Sequence, residues 1–372
     1  MNVIILKNNL KDGLWAISGA RKDSGQLPIL KNFLLETRDD KLCLSSTDLE
    51  LGVIHTISAK IIENGSVTVP FSVFFQIINN ISSERITLET KGNSLFINTD
   101  NYKAKISIVA RDEFPIIPHL TSVNASFSFD SSHITDVFSS VVPACHISDL
   151  RPELSGVLFS YKDSILLCAA TDSFRLAEKT VYSKKYETSF DGDIAVIIPL
   201  KTVLEVIRLF SQKTDSSITV SFDEHQVLFE NNSTKLISRL IEGTFPDYTA
   251  YIPKEFETEV IIDREDITSA LKLTSSLTNR LNEIQFFTDE HLKNLTVFSS
   301  SQEFGENEYL LSAKISGSQT RVAFNWKFIL DGLKNIKTKT VFLGFNGEQK
   351  PSVIKSPDDP LFLYIIMPIK SS

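Results

Sequence analysis

The chain is short of cysteine, long apolar runs, basic charge and metal-binding or catalytic spacings, and each shortage narrows what it can be. Its three cysteines, Cys43, Cys145 and Cys168, are an odd number in 372 residues. Two of them lie in apolar, strand-like runs, so reduced thiols packed in a core are expected rather than a disulfide framework. The longest apolar runs, such as Val3 to Leu6 and Ala195 to Leu200, are far too short to cross a bilayer. The start of the sequence has no basic region followed by a long apolar stretch, so no secretion signal is expected and the cytoplasm is the expected location. A net charge of −8 argues against holding nucleic acid by bulk electrostatics. No third of the chain carries a basic excess, so any contact with DNA or RNA has to come from basic side chains gathered on one face.

Chemistry is equally sparse. The six histidines, His55, His119, His133, His146, His225 and His291, are far apart, and none has the paired spacing of a zinc site. No Walker A sequence occurs, and no Gly-x-Gly-x-x-Gly follows a strand. The segment from Gly19 to Gly25 is bounded by glycines but lacks the closing Gly-Lys-Ser/Thr, and reads as a basic loop. Thr47-Asp48 and Thr171-Asp172 have no base at fixed spacing; they are expected to close turns by hydrogen bonding to backbone. No metal, cofactor or catalytic residue is expected. Hydrophobic residues at 42% and charged residues at 23% are ordinary for a globular protein with packed cores.

What the chain does have is a threefold internal repeat at about 125 residues. After Pro70, apolar residues fall at Phe74, Phe75 and Ile78. The same offsets after Pro199 give Val203, Leu204 and Ile207, and after Asn325 they give Ile329, Leu330 and Leu333. Such offsets put three side chains on one helix face, and proline or asparagine suits a helix start. Leu42-Cys43-Leu44-Ser45-Ser46-Thr47-Asp48 returns as Leu166-Leu167-Cys168-Ala169-Ala170-Thr171-Asp172 and fades to Leu295-Thr296-Val297-Phe298-Ser299-Ser300-Ser301. The period exceeds that of solenoid repeats and is the size of a domain.

Each repeat opens with a short strand and a helical pattern: Leu6, Leu10, Leu14 and Ile17 in the first, Ile134, Phe138 and Val141 in the second, Ile267, Leu271 and Thr274 in the third. Alternating runs rich in Val, Ile, Phe and Thr surround the second helix and read as antiparallel strands with one buried face. Turn residues such as Asp39-Asp40, Lys91-Gly92-Asn93 and Asn231-Asn232-Ser233 separate them. The expected class is α+β: three tandem domains of antiparallel sheets with two helices each, over 1–123, 124–253 and 254–372.

Leu27-Pro28-Ile29-Leu30, Thr47-Asp48-Leu49-Glu50, Ala170-Thr171-Asp172-Ser173-Phe174-Arg175-Leu176-Ala177, Gly243-Thr244-Phe245-Pro246-Asp247-Tyr248 and Met367-Pro368-Ile369-Lys370 occur in that order. Together they closely resemble the bacterial sliding clamps, the beta subunits of DNA polymerase III, and the match is collinear over the whole chain. The resemblance implies copies of the DNA-clamp domain in a ring-forming, head-to-tail homodimer that encircles double-stranded DNA, with helices lining the hole. It implies no enzymatic activity and no membrane association. Its partners would be the replicative DNA polymerase, a clamp loader and other proteins carrying a short motif of glutamine and apolar residues.

Carried over residue by residue, the resemblance places a partner-peptide groove at Leu154, Thr171, Ser173, Phe174, Arg175 and Leu176. It continues through Pro246, Ala250, Tyr251, Leu281, Asn325, Phe328 and Ser352 to Ile365, Ile366, Met367, Pro368 and Ile369. Phe174 and Ala250 depart from residues frequent in the family and make the groove more apolar. DNA-facing positions are Arg21, Lys22, His146, Arg151, Lys201, Arg208, Lys213, Lys334 and Lys337, with Lys327 and Lys339 beside them. The first copy of the lining helix, Phe71 to Asn80, carries no base. Chains are expected to meet where strand Tyr102–Val109 of one pairs with Glu308–Ile315 of the other, with Ile106 and Ile108 as apolar contacts. The competing readings are a cytoplasmic β-rich repeat scaffold and a three-domain enzyme whose active site is unrecognised.

Overall fold

The computed structural model describes residues 1–21, 27–148, 150–211 and 217–369. Among them, six α-helices fall two to a repeat: α1 (Lys7–Ile17) and α2 (Phe71–Asn80), α3 (Ser131–Val141) and α4 (Leu200–Phe210), α5 (Arg264–Thr274) and α6 (Trp326–Lys334). Strand pairing is antiparallel throughout the described residues. The α+β class expected from period-2 and helical patterning is therefore what the chain adopts.

Local chemistry explains the repeat. Arg38 pairs with Lys41 across Asp39-Asp40, whose φ values are 47° and 57°. Lys162 pairs with Ile165 across Asp163-Ser164, at 51° and 63°. Two successive left-handed residues twist a hairpin in the sense its strands prefer, and aspartate tolerates that conformation better than most side chains. Pro70 and Pro199 sit one residue earlier than helix-starting prolines. Each ends the preceding strand, Ser66–Pro70 or Ile194–Pro199, and Pro70 is the N-cap of α2 with φ −60°. At that junction proline's fixed φ fits and its missing N–H costs little. The third copy uses Asn325, whose side chain accepts from the Lys327 amide at 3.0 Å.

The apolar stripe is buried as expected in α6; in α2 Phe74 and Ile78 are buried while Phe75 is half-buried, and α4 is rotated. Val203 is buried while Leu204 is 49% exposed, and Val206, Leu209 and Phe210 complete the stripe. Leu10, Leu14 and Ile17 bury the face of α1, whereas Leu6 is exposed at its N-cap. All three cysteines are buried and free. Burial pushes the Cys145 thiol up to about 12, and that of Cys168 above its ordinary value as well, so neither is a ready nucleophile.

Contacts divide the chain into two compact units, one of residues 1–132, 186–190 and 204–240, the other of residues 133–185, 191–203 and 241–372. The second repeat is thereby shared out, because each unit is organised round a nine-stranded sheet that crosses a repeat boundary. In the first unit, Thr234–Arg239 of the second repeat pairs with Leu51–Ile57 of the first. In the second unit, Arg175–Val181 of the second repeat pairs with Phe362–Ile366 of the third. A five-stranded sheet in the first unit ends at Lys103–Ser107, and a four-stranded sheet in the second ends at Gly305–Ser312. The segment expected as one strand over Glu308–Ile315 is thus split: Gly305–Ser312 stays in the four-stranded sheet, and Lys314–Gly317 joins the nine-stranded one.

Helix α6 lies tight against the crossing strand of the second unit. A Cβ built on Gly332 would sit 2.7 Å from the ring of Tyr364, which is fully buried and has nowhere to move. Glycine inside a helix ordinarily costs about 0.5–1 kcal/mol relative to alanine, so Gly332→Ala would stabilise an isolated helix. Here the expected outcome has the opposite sign, a loss of about 1–3 kcal/mol in urea unfolding. A midpoint at or above the parent's would show that α6 can lift off the strand.

Candidate functional site

The two Thr-Asp pairs build the same turn. Thr47 Oγ1 donates to the Leu51 carbonyl at 2.9 Å, and Asp48 Oδ1 accepts from the amides of Glu50 and Leu51 at 3.0 and 2.8 Å. Thr171 Oγ1 donates to the Arg175 carbonyl at 2.7 Å, and Asp172 Oδ1 accepts from Phe174 and Arg175 amides at 2.9 Å each. Leu49 and Ser173 take the left-handed residue, at φ 83° and 75°. These carboxylates close turns, as expected from sequence.

The second copy adds a cation. Arg175 Nε donates to Asp172 Oδ2 at 2.9 Å and its Nη1 to Asp331 Oδ2 on α6 at 2.8 Å. Its guanidinium lies 4.0 Å from the centre of the Phe328 ring. Burial disfavours charge on Arg175, but Tyr364 and Asp172 outweigh it and hold its pKa above the usual value. With a side chain only 12% exposed, Arg175 is a wall of the site rather than a mobile charge.

Beside this wall lies a cavity of about 360 Å³. Of the residues expected in a groove, Leu154, Thr171, Ser173, Phe174, Arg175, Leu176, Pro246, Tyr251, Ile365 and Met367 line it. Leu176, Val353 and Ile365 form a buried cluster at its floor, with Tyr248 and Leu363 packed against them. Phe174 and Tyr251 stand at the rim, 63% and 68% exposed. The Met367 amide donates to the Phe174 carbonyl at 2.8 Å, which brings the end of the described chain alongside the turn.

The remaining expected groove residues lie off the cavity lining. Phe328 is behind it, against Arg175. Ser352 and Ile366 are buried, and Asn325 is the cap of α6. Pro368 and Ile369 are half-buried, with the Ile369 amide donating to the Ala323 carbonyl at 2.9 Å. Ala250 lines a separate depression with Tyr251, and exposed Leu281 lines another with Asn279 and Arg280. Sequence reasoning missed Asp247, Tyr248 and Pro351 as lining residues. Asp247 and Tyr248 were within its reach, since they end the Gly243–Tyr248 motif. The Tyr248 hydroxyl donates to Glu178 Oε2, and burial followed by that carboxylate pushes its pKa up. Thr249 hydroxyl and amide hold the Asp247 carboxyl below its usual range.

The basic residues separate into groups. Arg151, expected to face DNA, lines the cavity instead, with Nε on Glu153 Oε1 at 3.0 Å and Nη1 on Ser173 Oγ at 3.3 Å. Arg208 donates to Glu205 through Nε (2.8 Å) and Nη2 (2.6 Å), and to the carbonyls of Trp15 (2.9 Å) and Ala16 (2.7 Å). It also stacks 4.3 Å from the Trp15 ring centre. Arg208 therefore caps the C-terminal end of α1, where unpaired carbonyls attract a cation. Arg21 lies over Phe71 at 4.4 Å and reaches Ser72 Oγ at 3.3 Å. Lys334 pairs with Asp331 at 2.9 Å and Lys337 with Asp136 at 2.5 Å, both largely exposed. His146, Lys201 and Lys327 are exposed; Lys22 and Lys213 lie outside the described residues. At the other expected surface, Ile106 is buried within its own chain at 7% exposure and pairs with Leu95. Ile108 is half-buried, its amide donating to the Asn93 carbonyl at 3.2 Å. Among the described residues no group of His, Cys, Asp and Glu is disposed to hold a metal.

Models of the DNA polymerase III beta subunit match the chain in succession: the N-terminal domain at residues 1–118, the central domain at 129–247 and the C-terminal domain at 249–370. The beta sliding clamp of Chlamydia muridarum is 29% identical over 371 residues, covering 100% of this chain and 99% of the relative. Among solved structures, the DNA polymerase sliding clamp of Bacillus subtilis superposes with a TM-score of 0.95 at 24% identity. The DNA polymerase III beta subunit of Thermotoga maritima gives 0.89 at 28%. Both comparisons cover 100% of each chain.

Arg208 is a structural cation, and an exposed lysine provides the comparison. The partner of Arg208, Glu205, is buried, so Arg208→Ala leaves a carboxylate without its cation and takes one donor each from the Trp15 and Ala16 carbonyls. A fully buried pair broken in this way costs about 3–5 kcal/mol, and the 28% exposure of the Arg208 side chain lowers the expectation to about 2–3 kcal/mol. Lys327→Ala, at an exposed position of α6, is expected to change stability by less than about 0.5 kcal/mol. Equal unfolding midpoints for the two variants would count against a capping role for Arg208.

Proposed function

This chain belongs to the DNA polymerase III beta subunit family, and we propose that two copies close head to tail into a ring around duplex DNA, each offering one apolar groove to replication proteins. It is a sliding clamp, a processivity factor and not an enzyme, built from three tandem clamp domains. We place the domain boundaries at 1–123, 124–253 and 254–372, and the succession of matched family segments supports that division.

One observation carries the ring: both crossings between repeats use the same strand register. At the first, Gly52 faces Ile237, Val53 faces Leu236 and Ile54 faces Lys235. At the second, Leu176 faces Ile365, Ala177 faces Tyr364 and Glu178 faces Leu363. Gly52 and Leu176 are equivalent, since each lies opposite the threonine of its turn, Thr47 or Thr171. The third-repeat counterpart is Glu306, opposite Ser300. On the other side, the turn bond from the Asn231 amide to the Thr234 carbonyl recurs from Thr99 to Tyr102, which makes Lys103, Ala104 and Lys105 the counterparts of Lys235, Leu236 and Ile237. Both counterpart strands are sheet edges. Transferring the register to two chains sets Lys105 opposite Glu306 and Lys103 opposite Glu308, four exposed side chains of opposite sign. Exposed Leu273 and Leu310 beside the acidic edge supply apolar surface that the expectation for Ile106 and Ile108 did not include.

In such a ring Lys201 on α4 and Lys327 and Lys334 on α6 face the DNA, and retention comes from topology rather than affinity. The groove takes an extended peptide with a glutamine and apolar anchors, carried by the replicative polymerase, a clamp loader or other DNA-processing proteins. Its apolar floor and aromatic rim suit two or three buried anchors. The cytoplasm is the location consistent with this role; no helix among the described residues is long and apolar enough to cross a membrane.

Two measurements test these surfaces. Like charges directly opposite cost about 0.2–1 kcal/mol a pair. With two such pairs at each of two junctions, Lys103→Glu with Lys105→Glu is expected to raise the dimer dissociation constant about tenfold or more. Adding Glu306→Lys and Glu308→Lys should restore it, and the restored ring should stay on closed circular DNA and leave once the circle is cut. A mass unchanged by the first pair rules out this register, and retention on cut DNA rules out a ring. For the groove, Phe174→Ala with Tyr251→Ala should weaken a Gln-Leu-x-Leu-Phe peptide by about 2 kcal/mol, roughly thirtyfold, with the dimer intact. Equal affinity would move the partner site elsewhere.

A further inference from the structure

Asp331 is shared between two surfaces. Its Oδ2 accepts from Arg175, which lines the groove, and its Oδ1 accepts from Lys334, which stands on the exposed side of α6. The two cations differ in surroundings: the Arg175 side chain is 12% exposed, that of Lys334 68%. We propose that Asp331 is a positioning residue for the groove, acting through Arg175, and that its second oxygen makes peptide affinity respond to what Lys334 holds. The inference rests on reading the cavity as the peptide groove and α6 as a DNA-facing helix.

Arg175 makes three contacts, with Asp172, Asp331 and the Phe328 ring, and ties the turn carrying Ser173 and Phe174 to α6. Asp172 is inside the turn, so its bond to Arg175 closes the turn but does not fix it against α6. Only Asp331 and Phe328 do that, and only Asp331 is charged. Losing the Asp331 carboxylate leaves a poorly solvated guanidinium with one anionic partner and a weaker tie to α6. The rim would then be ordered only when a peptide arrives, at a cost in affinity.

The Lys334 arm sets the sign of the coupling. While Lys334 sits on Oδ1, part of the carboxylate's charge is neutralised at the solvent side. A DNA phosphate that draws Lys334 away leaves Asp331 to Arg175 alone, strengthens that pair and holds the groove wall more firmly. Peptide and DNA therefore favour one another, and by linkage the effect is the same in both directions. An exposed i,i+3 pair is a weak interaction, so the coupling is small, about twofold.

The test is titration of a fluorescent Gln-Leu-x-Leu-Phe peptide into full-length clamp, with and without a short linear duplex at low salt. Asp331→Asn is expected to weaken the peptide about tenfold or more while the dimer mass is unchanged. Asp331→Glu should recover part of the loss, which a purely structural defect would not. Duplex should tighten peptide binding about twofold in the parent chain, and Lys334→Gln should bind tightly without duplex and no longer respond to it. Parent-like affinity in Asp331→Asn overturns the positioning role. A duplex response that survives in Lys334→Gln overturns the coupling. A parent chain that binds no peptide overturns the groove reading itself, and the inference with it.

Discussion

The edge of a β-sheet presents a row of unpaired N–H and C=O groups, and a chain of repeated sheets meets that problem at every repeat. Here it is met twice by pairing the strand after the Thr-Asp turn of one repeat with the final strand of the next. Much else follows from that pairing. It fixes which face of each strand is buried, because a slip of one residue would turn every side chain over. It also explains why contacts group the second repeat with both its neighbours: the ladder hydrogen bonds, not the sequence boundaries, define the compact units. The strands Lys103–Ser107 and Gly305–Ser312 remain sheet edges within the chain, and the ring proposed above pairs them with a second copy.

Repetition of a frame is not repetition of a site. The first and second repeats share a turn with the same side-chain hydrogen bonds and the same register at the crossing. Their contents differ. Where the second has Arg175 and Leu176, the first has Leu51 and Gly52; where the second has Tyr248, the first has Ile117. A Cβ on Gly52 would stand 2.7 Å from an Ile117 methyl, so Ile117 fills the volume that Leu176 takes in the second copy. Leu34, Phe114, Ile117 and Ile237 close there into a buried cluster. In the second copy the corresponding floor opens into the cavity, with a charged wall that links the turn to α6.

The class, the two helices per repeat and the turns were legible in the sequence because they depend on period and on local hydrogen bonding. Phe74, Ile78, Ile329 and Leu333 fall on the faces their spacing assigns. Leu204 does not, because adjacent apolar residues such as Val203 and Leu204 fit two rotations of one helix, and packing, not spacing, decides between them. The groove was legible where it is contiguous in sequence, from Thr171 to Leu176, and less so where it is assembled from distant segments. Leu281 and Ala250 line other depressions, while Pro351 lines the groove without a sequence signal. Charge was the least legible property. A lysine or arginine reads the same in sequence whether it faces solvent or, like Arg208, caps a helix.

That internal use of cations bears on how an acidic protein handles DNA. Arg208 is bound to Glu205 and two carbonyls, and Arg175 to two aspartates. The basic residues free to meet a polyanion are therefore fewer than composition implies, and water screens those on exposed helix faces. For a protein that must stay on DNA by affinity this would be a defect, since retention scales with phosphates neutralised. For a closed ring it is an advantage. In the proposed ring, escape is blocked by closure around the duplex, so each phosphate contact need only be weak enough to break as the ring moves along it. On that proposal the strength of the assembly resides in backbone pairing at its edges, and the weakness of its charge contacts leaves it free to slide.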